Sequence, residues 1–512
     1  MKSISIALVI NKLERETRTM EMIKNSILKF NSNAQVKFIY YSDKHFVQKV
    51  IEFKPHLVLT FPLTARTLSI RFYILKYLLK FSLISLRTEG LILKCNKMYL
   101  SLLTGKEEYG NNLVDHEIFW GPESAKLLGN ILLKDNKISS KKRIHFFGAP
   151  SFEKYNNPKK LPDNIDRKLK QYTKVNTFII VTGFQYAEYS KEDILKAGDI
   201  VDINSRSFIN DYINWLCFLE KCKLFRYMWI HLLDLCAKNN PELLFVVKNH
   251  PIEINIFNQK TRKSPYERLK MNTNILLIDE PIPIKDILPK CNVLFHYGST
   301  TMLEAYLNRV PSVYVESKEI RKIEGTINPF EKIDLPSACS IDIDDFYHFI
   351  IYLKKNPIQF KRLSKIDSFL ERQLNLSLNK EYKPSDWIAR FLLTVVNQQP
   401  QKIESNDKYL HRSITSGYAN HIHQYLLEMS YKNIILRNYR EALRDYLLYL
   451  EKLLEIQKIC ITNFYLYKSI CFFNMNMLEN AIEALNSELQ YFPNNKEAKS
   501  FYNLIRKTMN YK

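Results

Sequence analysis

Val293-Leu294-Phe295-His296-Tyr297-Gly298-Ser299-Thr300-Thr301-Met302-Leu303-Glu304-Ala305-Tyr306-Leu307 is the stretch from which the fold is read. Its apolar opening predicts a short buried strand. Gly298 and Ser299 predict a turn with a helix N-cap, and Leu303 and Leu307 fall on one face of the helix that follows. A strand, a small-residue turn and a helix start bring free backbone amides and the positive end of the helix dipole to one place, which suits an anion. Ser299, Thr300 and Thr301 add hydroxyls, and Glu304 lies one turn further on. The spacing suits a phosphate at the turn and a hydroxylated sugar at the carboxylate. An ordinary strand–helix joint capped by serine fits the same residues.

Working outward, the same alternation recurs along the chain. Apolar runs at Ile4–Ile10, Gln35–Tyr41, Leu57–Phe61, Leu83–Leu86, Glu117–Trp120 and Arg143–Phe147 are separated by segments of helical spacing. A polar, proline-bearing stretch from Pro150 to Asp163 reads as a hinge. The alternation restarts at Thr177–Thr182 and continues through Leu243–Lys248, Asn274–Ile278, Val293–His296 and Ser312–Val315, and the region onward to about Val396 reads as helical. Near-continuous apolar strands predict parallel sheets covered on both faces, so the fold class is α/β with two Rossmann-like lobes, 1–160 and 161–396. A linker at 397–410, containing Pro400, leads to an all-helical segment, 411–512. The most apolar long stretch, Leu68–Leu86, carries Arg71, Lys76 and Lys80, which opposes a membrane span. It reads as a core helix running into a strand, with a membrane-surface face as the alternative.

The chain has 512 residues, 46% hydrophobic and 25% charged, with a net charge of +22. This field favours anionic partners such as phosphorylated substrates or lipid headgroups. The lysines are dispersed and form no basic tail, so nucleic-acid reading is not expected. Eight scattered cysteines without a CxxC pair do not form a zinc pattern. The N-terminus enters a strand without a secretory signal pattern, which with the thiols points to the cytoplasm.

Four strand ends carry polar residues where doubly wound lobes bind ligands: Thr88-Glu89-Gly90, Gly183-Phe184-Gln185-Tyr186, Lys248-Asn249-His250-Pro251 and His296-Tyr297-Gly298-Ser299-Thr300. Lys248 and His250 alternate along one strand end and offer cationic and hydrogen-bonding groups to phosphate. Glu89 beside Gly90 offers a carboxylate that could deprotonate an acceptor hydroxyl. Arg15-Glu16 and Arg18 read as a charged helix face, and Asp342-Ile343-Asp344-Asp345 as helix-capping acids. The excursion Glu188–Asn239 and the neighbouring Tyr186, with Tyr189, Arg206 and Trp215, reads either as an acceptor lid or as a helical hairpin. No GxGxxG follows the first strand, and no P-loop, GxSxG or HExxH occurs.

Together, Lys248-Asn249-His250-Pro251, His296-Tyr297-Gly298-Ser299-Thr300-Thr301 with Glu304, Arg87-Thr88-Glu89-Gly90, Phe119-Trp120-Gly121-Pro122 and Phe147-Gly148-Ala149-Pro150 resemble bacterial GT-B glycosyltransferases of surface-carbohydrate (capsule and lipopolysaccharide) biosynthesis. Within that group, an acidic-Gly motif, a His-Pro motif and a Ser-Ser/Thr motif resemble sialyltransferases and Kdo transferases, which use CMP-sugars. Thr88 departs from that pattern, which commonly has a second acid there. The resemblance implies a metal-independent transferase with no cofactor, with Glu89 as the base. It implies that Lys248, His250, His296, Gly298, Ser299, Thr300, Thr301 and Glu304 bind a nucleotide-sugar donor. The acceptor would be a surface polysaccharide or a lipid-linked glycan, with peripheral association at the inner membrane face. The tail resembles tetratricopeptide repeats at Ser469, Phe472, Ala481, Leu485 and Pro493, which implies a protein partner. An epimerase of the same fold, a polyol-phosphate transferase and a non-catalytic scaffold are the competing readings.

Overall fold

The computed structural model describes residues 4–11, 13–63, 66–87, 113–134, 140–153, 160–183, 187, 208–250, 253–254, 263–280, 282–297, 299, 301–317, 339–362, 364–375, 383–400, 402–405, 407–414 and 418–510. It contains two six-stranded parallel sheets flanked by helices, a pair of Rossmann-like lobes, followed by a helical region.

The first sheet is ordered β2-β1-β3-β4-β5-β6, formed by Ser5–Ile10, Gln35–Tyr40, Leu57–Thr60, Ser82–Leu86, His116–Phe119 and Ile144–Phe146 in the order β1 to β6. β1, β3 and β4 are buried along their whole length, as their unbroken apolar runs require in a sheet covered on both faces. The second sheet is ordered β12-β11-β10-β7-β8-β9. Its strands β7 to β12 are Thr177–Val181, Leu244–Lys248, Ile275–Ile278, Val293–His296, Ser312–Glu316 and Cys339–Asp342. β12 corrects the sequence reading, which took this region as helical. It is a four-residue, half-exposed edge strand, and it aligns Asp342 with Glu316. Just beyond it, the Asp342 carboxylate accepts the Asp344 amide at 3.3 Å, the capping role expected for these acids.

Two structural facts go beyond the linear order. Helix Pro384–Val395 follows the second lobe in sequence but packs on the first. Ile388, Ala389, Leu392 and Val395 share a core with Ile6, Leu8, Leu57, Leu59, Ile84 and Met20. Its start is anchored at both ends of the contact. The Glu153 carboxylate accepts the Ser385 backbone amide and, at 2.8 Å, its hydroxyl. Asp386 accepts Ser26 Oγ at 2.7 Å and Lys29 Nζ at 2.9 Å. Gly148, with φ of +91°, lies under this helix, and a Cβ there would sit 2.6 Å from Pro384 Cγ. A side chain at that position is excluded by backbone strain and by contact alike.

The second fact concerns the helical tail. Leu410, Ile414, Ile422, Leu426, Leu447, Leu450 and Phe464 join one continuous core with Ala7, Val9, Val58, Phe72, Ile74, Leu75 and Leu83 of the first lobe. Tyr425 Oη donates to Glu52 at 3.2 Å, and Lys54 pairs with Asp445 at 2.5 Å. Helix Arg66–Leu79 is therefore enclosed: Phe72, Tyr73, Ile74, Leu75, Lys76 and Leu78 are all buried. The membrane-surface alternative for this segment does not hold, because the tail covers it. Beyond this contact, helices Phe464–Asn474 and Leu478–Tyr491 form a hairpin. Ser469 Oγ bonds the Ala481 carbonyl at 2.8 Å, and Leu485 is fully buried. Among the described residues, no helix is long and apolar enough to cross a membrane.

Candidate functional site

In each sheet the chain runs to one side and then returns across its first strand. The crossing points lie between β1 and β3 in the first lobe and between β7 and β10 in the second. In open parallel sheets, ligands bind in the crevice outside the carboxyl ends of the strands at such a switch point. The second crevice is bounded by Thr182-Gly183 after β7 and by Tyr297, Ser299 and Thr301 after β10, with Lys248–His250 at the end of the adjoining strand β8.

Register places Lys248 beside Val181, and His296 one residue past the Phe295–Ile180 pair. Both side chains therefore share one face, separated by two strand spacings, about 10 Å. They are not equivalent. Lys248 is 7% exposed, and its ammonium donates to the carbonyls of Asn249 at 3.1 Å and Glu280 at 3.0 Å. It is a nearly buried positive charge held by backbone dipoles. His296 is completely buried next to Tyr314, and burial pushes its pKa down to about 3. It is neutral at physiological pH.

The turn itself begins helix Thr301–Leu307. Ser299 Oγ accepts the Thr301 amide at 3.3 Å and the Thr301 hydroxyl at 2.9 Å, so the serine cap is present. The helix is only seven residues long, which limits its dipole. Its inner face, Met302, Leu303 and Tyr306, packs against Trp120, Ala149 and Phe152 of the first lobe. The opening stretch therefore lies at the seam between the lobes. Glu304 is partly exposed, and its carbonyl holds the Asn308 side chain at 2.8 Å. Gly298, Thr300 and Pro251 lie outside the described residues, as does Glu89.

The residue that organises the β8 end was missed from sequence. Glu253 is fully buried and accepts Thr182 Oγ1, Tyr266 Oη at 3.0 Å and the His250 amide at 3.3 Å. The His250 amide also donates to Thr182 Oγ1 at 3.0 Å. The only available signal was an acid three residues after the histidine, with nothing to distinguish it from a surface glutamate.

In the first lobe, Arg87 precedes the Thr88-Glu89-Gly90 segment. It is buried, lies 3.5 Å from Glu117 and stands over the Phe119 ring at 5.4 Å. Burial raises the Glu117 pKa against the opposing pull of Arg87. Glu16 does not lie on a charged solvent face as expected. It is 3% exposed, and its carboxylate accepts the Asn11 amide at 2.6 Å, which ties down the loop after β1. Of the excursion read from sequence as an acceptor lid or a helical hairpin, the described part, from Phe208 on, is the helix Phe208–Asn239. Tyr186, Tyr189 and Arg206 lie outside the described residues, and Trp215 falls within the helix.

Partly and fully desolvated histidines make stability pH-dependent. His145 lies 3.1 Å from His116, and desolvation brings its pKa to about 4. A folded-state pKa below the unfolded value of about 6.5 means that the unfolded chain binds the proton first. The contribution of His145 and His296 is therefore complete above about pH 6.5 and falls away as pH drops toward 4 and 3. Glu117 and Glu253, whose pKa values burial raises above the ordinary carboxyl value, act with the opposite sign: they add stability as pH falls through those raised values. The His145→Phe variant is expected to lose less stability than wild type between pH 7 and 5 in urea titrations. Equal losses would show that this histidine does not contribute.

No protein-family model matches the chain, and no curated protein matches it. Among solved structures, it is similar to the UDP-GlcNAc 2-epimerase of Methanocaldococcus jannaschii. The identity is 12% and the TM-score 0.39, over 77% of this chain and 99% of that one. It is also similar to the glycosyltransferase of kitacinnamycin, at 12% identity and a TM-score of 0.40 over 77% and 99%. A variant of the wall teichoic acid polymerase TagF aligns at 11% identity and 0.43 over 78% and 90%.

Proposed function

We propose that the chain is a glycosyltransferase that takes a nucleotide sugar at the β7/β10 crevice of the second lobe. The sugar then passes to a hydroxyl of a surface polysaccharide or lipid-linked glycan held by the first lobe. The observation that supports this reading is the strand order β10-β7-β8, which puts the segments carrying Ser299 and Thr301 and carrying Lys248 and His250 after carboxyl ends on the same edge of one parallel sheet, flanking the switch-point strand β7. The donor phosphates lie against these groups, with Gly298 and Thr300 supplying backbone. Glu304 bonds the hydroxyls of the donor, ribose first. In the reaction the anomeric carbon leaves the phosphate oxygen and bonds the acceptor oxygen. The acceptor proton goes to Glu89, and the nucleotide departs with the bond electrons. Positive charge and hydrogen-bond donors around the departing phosphate lower the barrier most. The acceptor lies at the inner membrane face, and the net charge of +22 favours that surface. The tail hairpin offers a surface for a protein partner.

The test is a thermal-shift panel of CMP, UDP, GDP and CDP compounds, CMP-sugars included. A ligand at a hundred times its Kd adds about 2.7 kcal/mol to stability, so one base is expected to stand out. If none of these compounds stabilises the protein at millimolar concentration, the nucleotide-sugar reading is wrong.

A further inference from the structure

The rim of the second-lobe crevice depends on a carboxylate that no ligand could touch. Glu253 is fully buried, and Thr182, at the carboxyl end of β7, is 4% exposed. Tyr266, also buried, comes from a different part of the chain, just before the short helix Glu267–Met271. Three donors converge on the two Glu253 oxygens: the Thr182 hydroxyl, the Tyr266 hydroxyl and the His250 amide. A neutral carboxylic acid has to place its own proton and fits three donors poorly, so the ionised form is the one matched here. Burial pushes the Glu253 pKa up, while Thr182, Tyr266, nearby Arg226 and the His250 amide pull it back. Thr182 has a double role: its hydroxyl donates to Glu253 and accepts the His250 amide. Its own amide pairs with the Lys248 carbonyl at 3.0 Å. The ends of β7 and β8 are thus joined through one side-chain carboxylate and one hydroxyl. On the other side of β8, Asn249 Nδ2 donates to Asp279 at 2.5 Å and links that strand to the β9 end.

We infer that Glu253, acting through Thr182, is the positioning residue of the donor crevice. It fixes the backbone at His250 against the β7 end, so that His250 meets a nucleotide phosphate already in place. This rests on the nucleotide-sugar reading for the identity of the ligand, but not for the existence of the lock. Preorganisation of this kind lowers the ordering cost of binding without adding a contact to the ligand.

The variants are Thr182→Val, which keeps the shape and removes the hydroxyl, Thr182→Ser, which restores it, and Glu253→Gln. Two measurements separate the lock from the ligand. The first is hydrogen–deuterium exchange of the 247–254 peptide in the unliganded full chain. Protection of this peptide is expected to fall about tenfold in Thr182→Val and to recover in Thr182→Ser, with the melting temperature changing little. The second is calorimetric titration with UDP, CMP, GDP and CDP. The Kd of whichever wild type binds is expected to weaken about tenfold in Thr182→Val and to return in Thr182→Ser. Glu253→Gln is expected to stay near wild type in both, since its amide oxygen can accept the Thr182 hydroxyl and the His250 amide while its amide nitrogen donates to Tyr266 Oη. Unchanged protection in Thr182→Val overturns the inference. Lost protection with unchanged Kd overturns its positioning role. If wild type binds none of UDP, CMP, GDP and CDP but the exchange result holds, the lock stands and the nucleotide-sugar reading fails.

Discussion

Removal of residues 403–512 is expected to leave a chain that does not fold to a soluble monomer. The tail is not appended to a finished lobe. Leu410, Ile414, Leu426, Leu450 and Phe464 complete the same core as Phe72, Ile74, Leu75 and Leu83, and each is buried to within a few per cent. Without them, helix Arg66–Leu79 would present a large apolar face to water, the kind of patch that drives association. A single Leu426→Ala substitution samples the same interface at about 2–5 kcal/mol, the cost of a buried leucine and its cavity. Size-exclusion chromatography and urea unfolding of the two variants provide the measurement. A truncated chain that elutes as a monomer with an unaltered unfolding transition would show that the first lobe is self-sufficient.

The second large effect is expected at Asp115. Lys76 and Asp115 form an ion pair at 2.7 Å with side chains 1% and 4% exposed. The same Asp115 oxygen accepts the Leu83 amide at 2.7 Å, and the Lys76 ammonium also donates to the Leu113 carbonyl at 2.7 Å. Burial lowers the Lys76 pKa, and Asp115 opposes that shift. Asp115→Ala strands a cation in the core and leaves the Leu83 amide unpaired, for a loss of about 3–5 kcal/mol. Replacing both partners, as in Lys76→Met with Asp115→Leu, removes the stranded charge but not the orphaned amide. That double variant is expected to lie about 1–3 kcal/mol below wild type, above the single one. A double variant no more stable than Asp115→Ala would mean that the pair contributes more than mutual compensation.

The strands were legible because burial on both faces leaves an unbroken apolar run, as at Ser5–Ile10 and Thr177–Val181. β12 was not, because a short edge strand such as Cys-Ser-Ile-Asp needs no such run. The strand ends of the second-lobe crevice were legible for the same reason as the strands, since polar residues directly after an apolar run mark the carboxyl edge. The order of those strands was not legible, so neither was the position of the switch point. Linear order also hid two returns of the chain: helix Pro384–Val395 onto β1, and the tail onto helix Arg66–Leu79. Their apolar faces were readable, but not what they would cover. Glu253 and Thr182 look like ordinary polar residues until the fold brings them together.

The return of the chain onto its own beginning also sets the order of folding during synthesis. The second lobe draws its two cores from residues 161–358 alone and can close as soon as these have emerged. The first lobe, although made earlier, must wait for partners as late as Leu426 and Phe464. At about 5–20 residues per second, that interval is roughly 20–90 s, during which β1 and helix Arg66–Leu79 lack their final cover. The lobe translated first is thus completed last, and in that window the nascent chain depends most on chaperones.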